Sequence, residues 1–149
     1  MKIFPFAIYS YLNKKYNDMF KPLLKKYQIT QIEIDILAFL ANNPEFHNAQ
    51  DIVNVRGISK AHASIGIEKL VKKGYVTRQP DPTNRRCNIL LVTKNAQNLV
   101  KDIQDIQKDY NEQLYLGVSQ EDKEKYNEIL AIMYQNFGGY KDEWEIKKW

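Results

Sequence analysis

A chain of 149 residues is about the length of one domain and can bury a core without covalent cross-links. Its single cysteine, Cys87, excludes an internal disulfide framework and favours a reducing compartment, and no stretch approaches the roughly 18 apolar residues of a membrane-spanning helix. Pro5 and the polar residues that follow Ile8 argue against a signal peptide, so we expect a cytoplasmic protein with no membrane partner.

The net charge of +4 is unevenly distributed along the chain. Residues 56–94 include nine basic and two acidic residues, a net charge of +7, whereas residues 95–149 include seven basic and eleven acidic residues, a net charge of −4. A basic segment in an otherwise neutral to acidic chain suits phosphate-backbone binding, because neutralised phosphates release condensed counterions. The alternative is a solvated charged face with no partner.

Apolar and aromatic residues near the N-terminus recur at intervals of three and four, which predicts an amphipathic helix over residues 4–20. They are Phe6, Tyr9, Leu12, Tyr16, Met19 and Phe20. Leu23, Leu24 and Tyr27 continue the pattern after Pro22. Core packing is the commoner role of such a stripe, and contact with a second copy of the chain is the alternative.

Two shorter helices are predicted next. Thr30 and Glu33 have the spacing of a capping box and begin a helix that should end at Asn42-Asn43-Pro44. The dipeptide Phe46-His47 is short and extended, and is a candidate third strand for the ribbon predicted below. A helix capped by Asn48 should then cover residues 49–55.

A helix from the cap Ser59 to Lys73 should complete a helix-turn-helix, with Gly57 in the turn. Its outer face is short and mixed, and comprises Lys60, Ala61, His62, Ser64, Ile65 and Lys69. Small and hydrogen-bonding side chains can read base edges in a DNA major groove, and lysines can contact phosphates. Gly66 in mid-helix costs about 1 kcal/mol relative to alanine, so we expect a close backbone approach there, to another helix or to DNA.

Two strands are predicted after Gly74, at residues 75–79 and ending at Val92, with Val76, Ile89 and Leu91 on the face toward the core. The connecting tip, residues 80–86, has the sequence PDPTNRR. There the carboxylate of Asp81 is placed to accept a hydrogen bond from Arg85 or Arg86. An arginine held in that way can enter a narrow minor groove.

Two further helices are predicted toward the C-terminus. Thr93 should begin a long one that reaches about Leu116, with an apolar stripe made of Leu99, Val100, Ile103, Ile106, Tyr110 and Leu114. Ser119 should cap the second, in which the residues expected to face inward are Tyr126, Ile129, Leu130, Met133 and Phe137. Residues 140–149 place two tryptophans beside charges, and we expect this segment to be frayed or to lie on a partner.

These elements predict a mainly α chain with a small β-ribbon, in which a winged helix-turn-helix lobe covers residues 29–93. Its most specific motifs are Ile58-Ser59-Lys60, residues 69–76 (KLVKKGYV), and residues 81–86 (DPTNRR) followed by Leu91-Val92-Thr93. In these motifs the chain resembles the MarR family of bacterial transcription regulators. The resemblance implies a homodimer held by a helical region from residues 1–28 and 94–149. It also implies repression at a pseudo-palindromic DNA operator and release by a small anionic or phenolic effector.

The same resemblance assigns roles to single residues. It implies that residues 59–64 begin the base-reading helix and that Arg85 is the wing arginine oriented by Asp81, with Arg86 beside it. The family usually has an acid where Asn84 stands and often has an arginine where Ile65 stands. The isoleucine removes a phosphate contact and is a candidate for contact with a thymine methyl group.

Other functions have less support. Only two histidines, His47 and His62, are present, in different predicted elements, and neither a glycine-rich phosphate loop nor an HExxH motif occurs. We therefore expect no enzyme activity, no metal site and no cofactor. Thiol-based redox sensing through Cys87 and a winged-helix protein-interaction module without specific DNA binding are the alternatives. The candidates for lining an effector pocket are Tyr9, Tyr11, Tyr16 and Tyr27, although plain packing is the commoner role of tyrosines.

Overall fold

Helices and one antiparallel ribbon make up the computed structural model, which describes residues 5–84 and 86–138. In chain order the elements are α1 (Pro5–Met19), α2 (Lys21–Tyr27), α3 (Gln31–Asn42), α4 (Ala49–Arg56), α5 (Lys60–Lys72), β1 (Val76–Pro80), β2 (Asn88–Val92), a 3-10 turn (Lys94–Ala96), α6 (Gln97–Leu114) and α7 (Gln120–Asn136). The mainly α fold with a small ribbon is confirmed. Among these helices none is both long enough and apolar enough to cross a membrane.

Side-chain caps begin four of the helices where the sequence predicts them. The side-chain oxygen Oδ1 of Asn48 accepts a hydrogen bond from the Asp51 backbone amide at 2.9 Å, and the Asp51 carboxylate accepts one from the Asn48 backbone amide at 3.1 Å. Ser59 and Ser119 accept in the same way from amides three residues on. The Thr30–Glu33 capping box is also present. These local bonds determine where α3, α4, α5 and α7 start.

Thr93 uses its hydroxyl differently from the other predicted caps. It precedes the 3-10 turn that leads into α6, and its hydroxyl donates to the Gly74 carbonyl oxygen at 2.6 Å. The Thr93 amide donates to the carbonyl oxygen of Tyr75 at 3.0 Å. Thr93 therefore ties the end of the ribbon back to its beginning.

The described residues fall into two compact units, one that reaches to Ile106 and one that begins at Gln107. The hydrophobic core lies in the first unit. Its large, fully buried apolar side chains are Phe20, Ile34, Ile36, Leu37, Ile52, Leu70, Val76, Leu99 and Ile103. Helix-turn-helix, ribbon and the first half of α6 therefore share one core.

An ion pair between a buried carboxylate and a partly exposed lysine joins the start of α3 to the end of α5. The Glu33 side chain is 1% exposed, and its carboxylate accepts hydrogen bonds from the Lys73 ammonium at 2.7 Å and from the amide and hydroxyl of Thr30 at 2.8 and 2.7 Å. Lys73 also donates to the carbonyl oxygen of Gln28 at 2.7 Å. Burial alone would raise the pKa of Glu33, but the bonds from Lys73 and Thr30 outweigh it, so the pKa lies below its usual value of 4.5.

Gly66 of α5 packs closely against α3. It is buried, and a β-carbon added to it would collide with the Cδ1 atom of Ile36 and lie 3.6 Å from Cγ2 of Ile32. The close approach predicted from a glycine in mid-helix is confirmed, and the neighbour is a helix of the same chain. Gly66 therefore has a packing role.

The face of the ribbon that meets the core differs from the prediction. Val76 pairs with Val92 and Arg78 with Leu90, so Val76, Leu90 and Val92 share the inner face. Ile89 and Leu91 were predicted to pack there, but they lie on the opposite face with Gln79 and Thr77. Successive residues of a strand point to opposite faces of the sheet. Because Val76 pairs with Val92 on the inner face, Ile89 and Leu91 must lie on the outer face.

The third strand predicted at Phe46-His47 is also wrong. Within the described residues the sheet has two strands, and only the His47 carbonyl oxygen joins it, accepting from the Leu90 amide at 2.7 Å. The Phe46 amide closes a turn onto Asn43, and Asn48 already caps α4. Too few extended residues remain between these two features to form a strand.

Helix α7 does not bury the stripe that its sequence predicts. It has no buried residue, and Phe137 is 93% exposed, while Tyr126, Ile129 and Met133 are exposed as well. Their predicted inward packing is therefore wrong for a single copy of the chain. The periodicity is amphipathic, but it does not specify what covers the apolar side of the helix. Residues 140–149, predicted to be frayed or bound to a partner, lie outside the described residues.

The Glu33–Lys73 pair should make stability depend on pH. Since the pKa of Glu33 is below 4.5 in the folded chain, the unfolded chain takes up a proton first as the pH falls, and the stabilisation present at neutral pH is lost on acidification through the folded-state pKa. Glu33→Gln should lower the free energy of unfolding by roughly 1–3 kcal/mol near neutral pH and flatten the decline below about pH 5. Urea unfolding at several pH values measures both. Glu128→Gln, at an exposed position of α7, is the control, and equal pH profiles for Glu33→Gln and the parent chain would contradict the assignment.

Gly66→Ala separates packing from helix propensity. Propensity alone predicts a gain of about 1 kcal/mol, whereas the collision with Ile36 predicts a net loss of roughly 1–3 kcal/mol. Adding Ile36→Val, which removes the colliding Cδ1 atom, should recover part of that loss. Chemical unfolding of the two single variants and the double variant tests this, and a stabilised Gly66→Ala chain would refute the close contact.

Candidate nucleic-acid interface

One side of α5 packs on the core and the other is exposed to solvent. Its buried residues are Ala63, Gly66, Ile67 and Leu70. All the residues predicted for the outer face are exposed, namely Lys60, Ala61, His62, Ser64, Ile65 and Lys69. The N-terminal half of α5 therefore presents a short mixed surface of cationic, small polar and aliphatic groups.

The Ser59 hydroxyl forms its hydrogen bonds with His62 of the same helix. Its hydroxyl oxygen accepts from the His62 amide at 3.3 Å and lies 3.0 Å from Nδ1 of the His62 ring. When Nδ1 is the unprotonated ring nitrogen, the Ser59 hydroxyl donates to it, and Nε2–H is left as the donor available to a ligand. Ser59 therefore serves as the helix cap and holds the ring of His62.

The cations of the basic segment divide into two groups. Arg56 pairs with Asp35 at 3.3 Å, Lys73 with Glu33 at 2.7 Å and Arg78 with Glu68 at 2.9 Å. Within the described residues no ion pair involves the remaining cations of the segment, which are Lys60, Lys69, Lys72, Arg86 and Lys94. The charge available to an anionic partner is consequently smaller than the sequence count suggests, and it includes both ends of the exposed face of α5.

Short polar side chains organise the tip of the ribbon. The Asp81 carboxylate accepts from the Thr83 hydroxyl and amide, both at 2.7 Å, and from the Asn84 amide at 3.2 Å. These bonds hold the pKa of Asp81 below its usual value of 3.8, so it stays ionised near neutral pH. Among the described residues, the bonds that Asp81 accepts come from Thr83 and Asn84, and none comes from Arg86, one of the two alternative donors predicted. Arg85, the other predicted donor, lies outside the described residues.

Asn84 uses both ends of its carboxamide. Its oxygen accepts from the Arg86 amide at 3.2 Å, and its nitrogen donates to the Cys87 sulfur at 3.3 Å. The Asp81 amide also donates to the carbonyl oxygen of Cys87 at 3.1 Å. An acid at position 84 would have no N–H to offer the sulfur, so asparagine suits this particular turn.

A groove of about 370 Å³ separates α5 from the ribbon and the start of α4. Its lining residues are Asn48, Ala49, Gln50, Val53, Lys60, Ala63, Ser64, Ile67, Arg78, Arg86, Cys87, Asn88 and Leu90. Of the predicted site residues it brings together Lys60, Ser64 and Arg86. Ala61, His62, Ile65 and Lys69 are not part of its lining, nor are Asp81 and Asn84.

Sequence reasoning missed the polar residues Gln50 and Asn88 of this groove. Gln50 lies in the first turn of α4 and Asn88 at the first position of β2. Neither has a sequence signal beyond being polar. Only the packing of α4 against the ribbon side of α5 identifies them.

The four tyrosines predicted as effector candidates occupy different surroundings. Tyr16 packs edge-on against Phe20, with ring centroids 4.9 Å apart. The Tyr27 hydroxyl donates to Asp102 at 2.7 Å. Tyr9 and Tyr11 are exposed on α1. Packing accounts for the first two, and an effector site at any of the four stays a prediction.

Known proteins share parts of this sequence and this architecture. Residues 27–86, which run from the end of α2 to the tip of the ribbon, match the family model of the MarR family. A MarR transcriptional regulator from Methanosarcina mazei Go1 is 24% identical over 87% of this chain and 86% of its own, with a TM-score of 0.71.

Two similar structures were solved with DNA. A putative MarR family regulator from Listeria monocytogenes, complexed with a 26mer DNA, is 17% identical over 97% of this chain and 100% of its own, with a TM-score of 0.79. The S. aureus MepR–DNA complex is 17% identical over 91% of this chain and 99% of its own, with a TM-score of 0.73. The resemblance drawn from the sequence is confirmed: residues 27–86 match the MarR family model, and the chain has the fold of the solved MarR regulators.

Proposed function

We propose that this chain is a sequence-specific DNA-binding transcriptional regulator that acts as a homodimeric repressor at a pseudo-palindromic operator. The observation that carries the proposal is the exposed side of α5, where Lys60 and Lys69 flank small and hydrogen-bonding side chains. A helix of this kind fits a major groove about 12 Å wide. That two proteins of the same fold were crystallised with DNA supports the proposal.

The residues of the interface then have distinct roles. Lys60 and Lys69 contact phosphates, while Ala61, His62 and Ser64 face base edges. Ser59 acts by holding the His62 ring. Arg85 and Arg86, at the tip of the ribbon, contact the DNA backbone. Hydrogen bonds to Asp81 and Asn84 maintain the shape of this tip. We also propose that a small anionic or phenolic effector releases the protein from DNA, and only the resemblance to the MarR family supports this part of the proposal.

Helix α7 supports the dimer. A monomer gains nothing from an exposed apolar stripe, and this one comprises Tyr126, Ile129, Ile132, Met133 and Phe137. Burying such a stripe against a second copy would remove it from water and account for its amphipathic period. The exposed aromatic residues at the start of α1, Phe6 and Tyr9, are the second proposed contact surface.

Lys60→Ala tests the DNA interface. It should weaken binding to all sequences alike and reduce the salt slope of the binding constant by about one per half-site, because one phosphate contact is lost. Fluorescence anisotropy with the DNA upstream of the protein's own coding region, at several salt concentrations, measures both.

Lys101→Ala is the matched control for this experiment. Lys101 is an exposed lysine of α6 that pairs with Asp105 on the same helix, so its removal should leave the slope unchanged. An unchanged slope for Lys60→Ala would remove the phosphate role. Wild-type binding without sequence preference would contradict specific regulation.

Met133→Glu tests the dimer. The side chain is exposed in the single chain, so a carboxylate there is tolerated in the monomer, whereas burial in an apolar interface would cost several kcal/mol. We expect the wild type to sediment as a dimer and Met133→Glu as a folded monomer, with helicity checked by circular dichroism. Gln135→Glu adds the same charge at an exposed position of α7 away from the stripe and should stay dimeric. If Met133→Glu dimerises as tightly as the wild type, the interface lies elsewhere.

A further inference from the structure

Ile65 stands out on the exposed side of α5. Its side chain is 53% exposed, although isoleucine is among the most frequently buried residue types. Helical periodicity places it opposite the buried Ala63 and Leu70, one turn after Ala61 and one turn before Lys69. An aliphatic side chain therefore occupies the middle of the face that is otherwise cationic and polar.

The charged neighbours of Ile65 do not change this character. Glu68, three residues on, shares the exposed side, but its carboxylate pairs with Arg78 at 2.9 Å. Lys60 and Lys69 form no ion pair within the described residues, so both can contact phosphates on either side of a groove. Between those contacts the surface offered to the base pairs includes the polar side chains of His62 and Ser64, and its apolar part consists of Ile65 and the methyl group of Ala61.

The chemistry of the major groove limits what such a surface can recognise. Most base-edge atoms there are hydrogen-bond donors or acceptors, and covering them with an aliphatic group would leave them dry and unpaired. The C5 methyl group of thymine is the exception, because its contact with isoleucine removes two apolar surfaces from water.

We propose that Ile65 is a specificity-determining residue that packs against the C5 methyl group of a thymine, so that each half-site carries a T·A pair under the middle of α5. The inference rests on the proposed DNA-binding function and adds to it the identity of one base pair. Ala61, one turn toward the start of the helix, extends the same apolar surface toward the neighbouring base step.

The experiment removes the methyl group alone. Sequences bound by the wild-type protein are enriched from random duplex DNA, and each thymine of the resulting site is replaced in turn by deoxyuridine, which keeps every hydrogen bond. One thymine per half-site should lose about fourfold in affinity on replacement, the contribution of one buried methylene-sized group. With Ile65→Ala, thymine and uracil at that position should bind equally.

Two further variants separate this contact from a general loss of affinity. Ile65→Val keeps a branched aliphatic group and should retain most of the uracil effect. Leu91→Ala removes another exposed aliphatic side chain, 40% exposed on the outer face of β2, and should retain all of it. An undiminished uracil effect in Ile65→Ala, or an enriched site in which no thymine shows one, would overturn the inference and leave the proposed function intact. Failure to enrich any sequence would overturn both.

Discussion

The packing of α5 against α3 is the constraint on which the rest of the structure depends. Two contacts contribute to it beyond the shared apolar core: Gly66 lets the backbone of α5 approach Ile36, and Lys73 at the end of α5 reaches the buried carboxylate of Glu33. Both contacts involve the middle and the end of α5. The first turns of α5 therefore pack on the core with one face, and their other face remains exposed to solvent. A buried carboxylate without its lysine would be costly, so the orientation of α5 is bound to the stability of the fold.

The paired cations show how the fold and the proposed interface divide one set of charges. Arg56, Lys73 and Arg78 join α4 to α3, α5 to α3 and β1 to α5. Each of these pairs links two elements around α5, and the Arg78–Glu68 pair also lies beside the exposed side of α5. Lys60, Lys69 and Arg86 lie on the proposed interface with no acidic partner among the described residues. Net charge alone cannot make this distinction, because it counts both groups equally.

Features that depend on neighbours in sequence could be predicted, and those that depend on distant partners could not. The caps at Asn48 and Ser59 follow from residue type and spacing, as does the close approach at Gly66. The inner face of β2 could not be predicted, because residues 89–92 are all apolar and only the pairing of Val76 with Val92 selects one side. The exposure of Ile129 and Met133 could not be predicted either, because periodicity indicates an amphipathic helix but does not indicate which chain covers its apolar face.

At the tip of the ribbon, hydrogen bonds to the backbone position Arg86. A carboxylate salt-bridged to the guanidinium would orient it, but that contact would have to be exchanged for a phosphate or base edge at the moment of binding. Here Asp81 and Asn84 bind the backbone of the turn, including the Arg86 amide, and thereby fix where the side chain begins. The Arg86 guanidinium has no acidic partner among the described residues, and the groove between the ribbon and α5 already places it with Lys60. For the proposed DNA contact, shaping the backbone in this way retains positional control without neutralising the cation in advance.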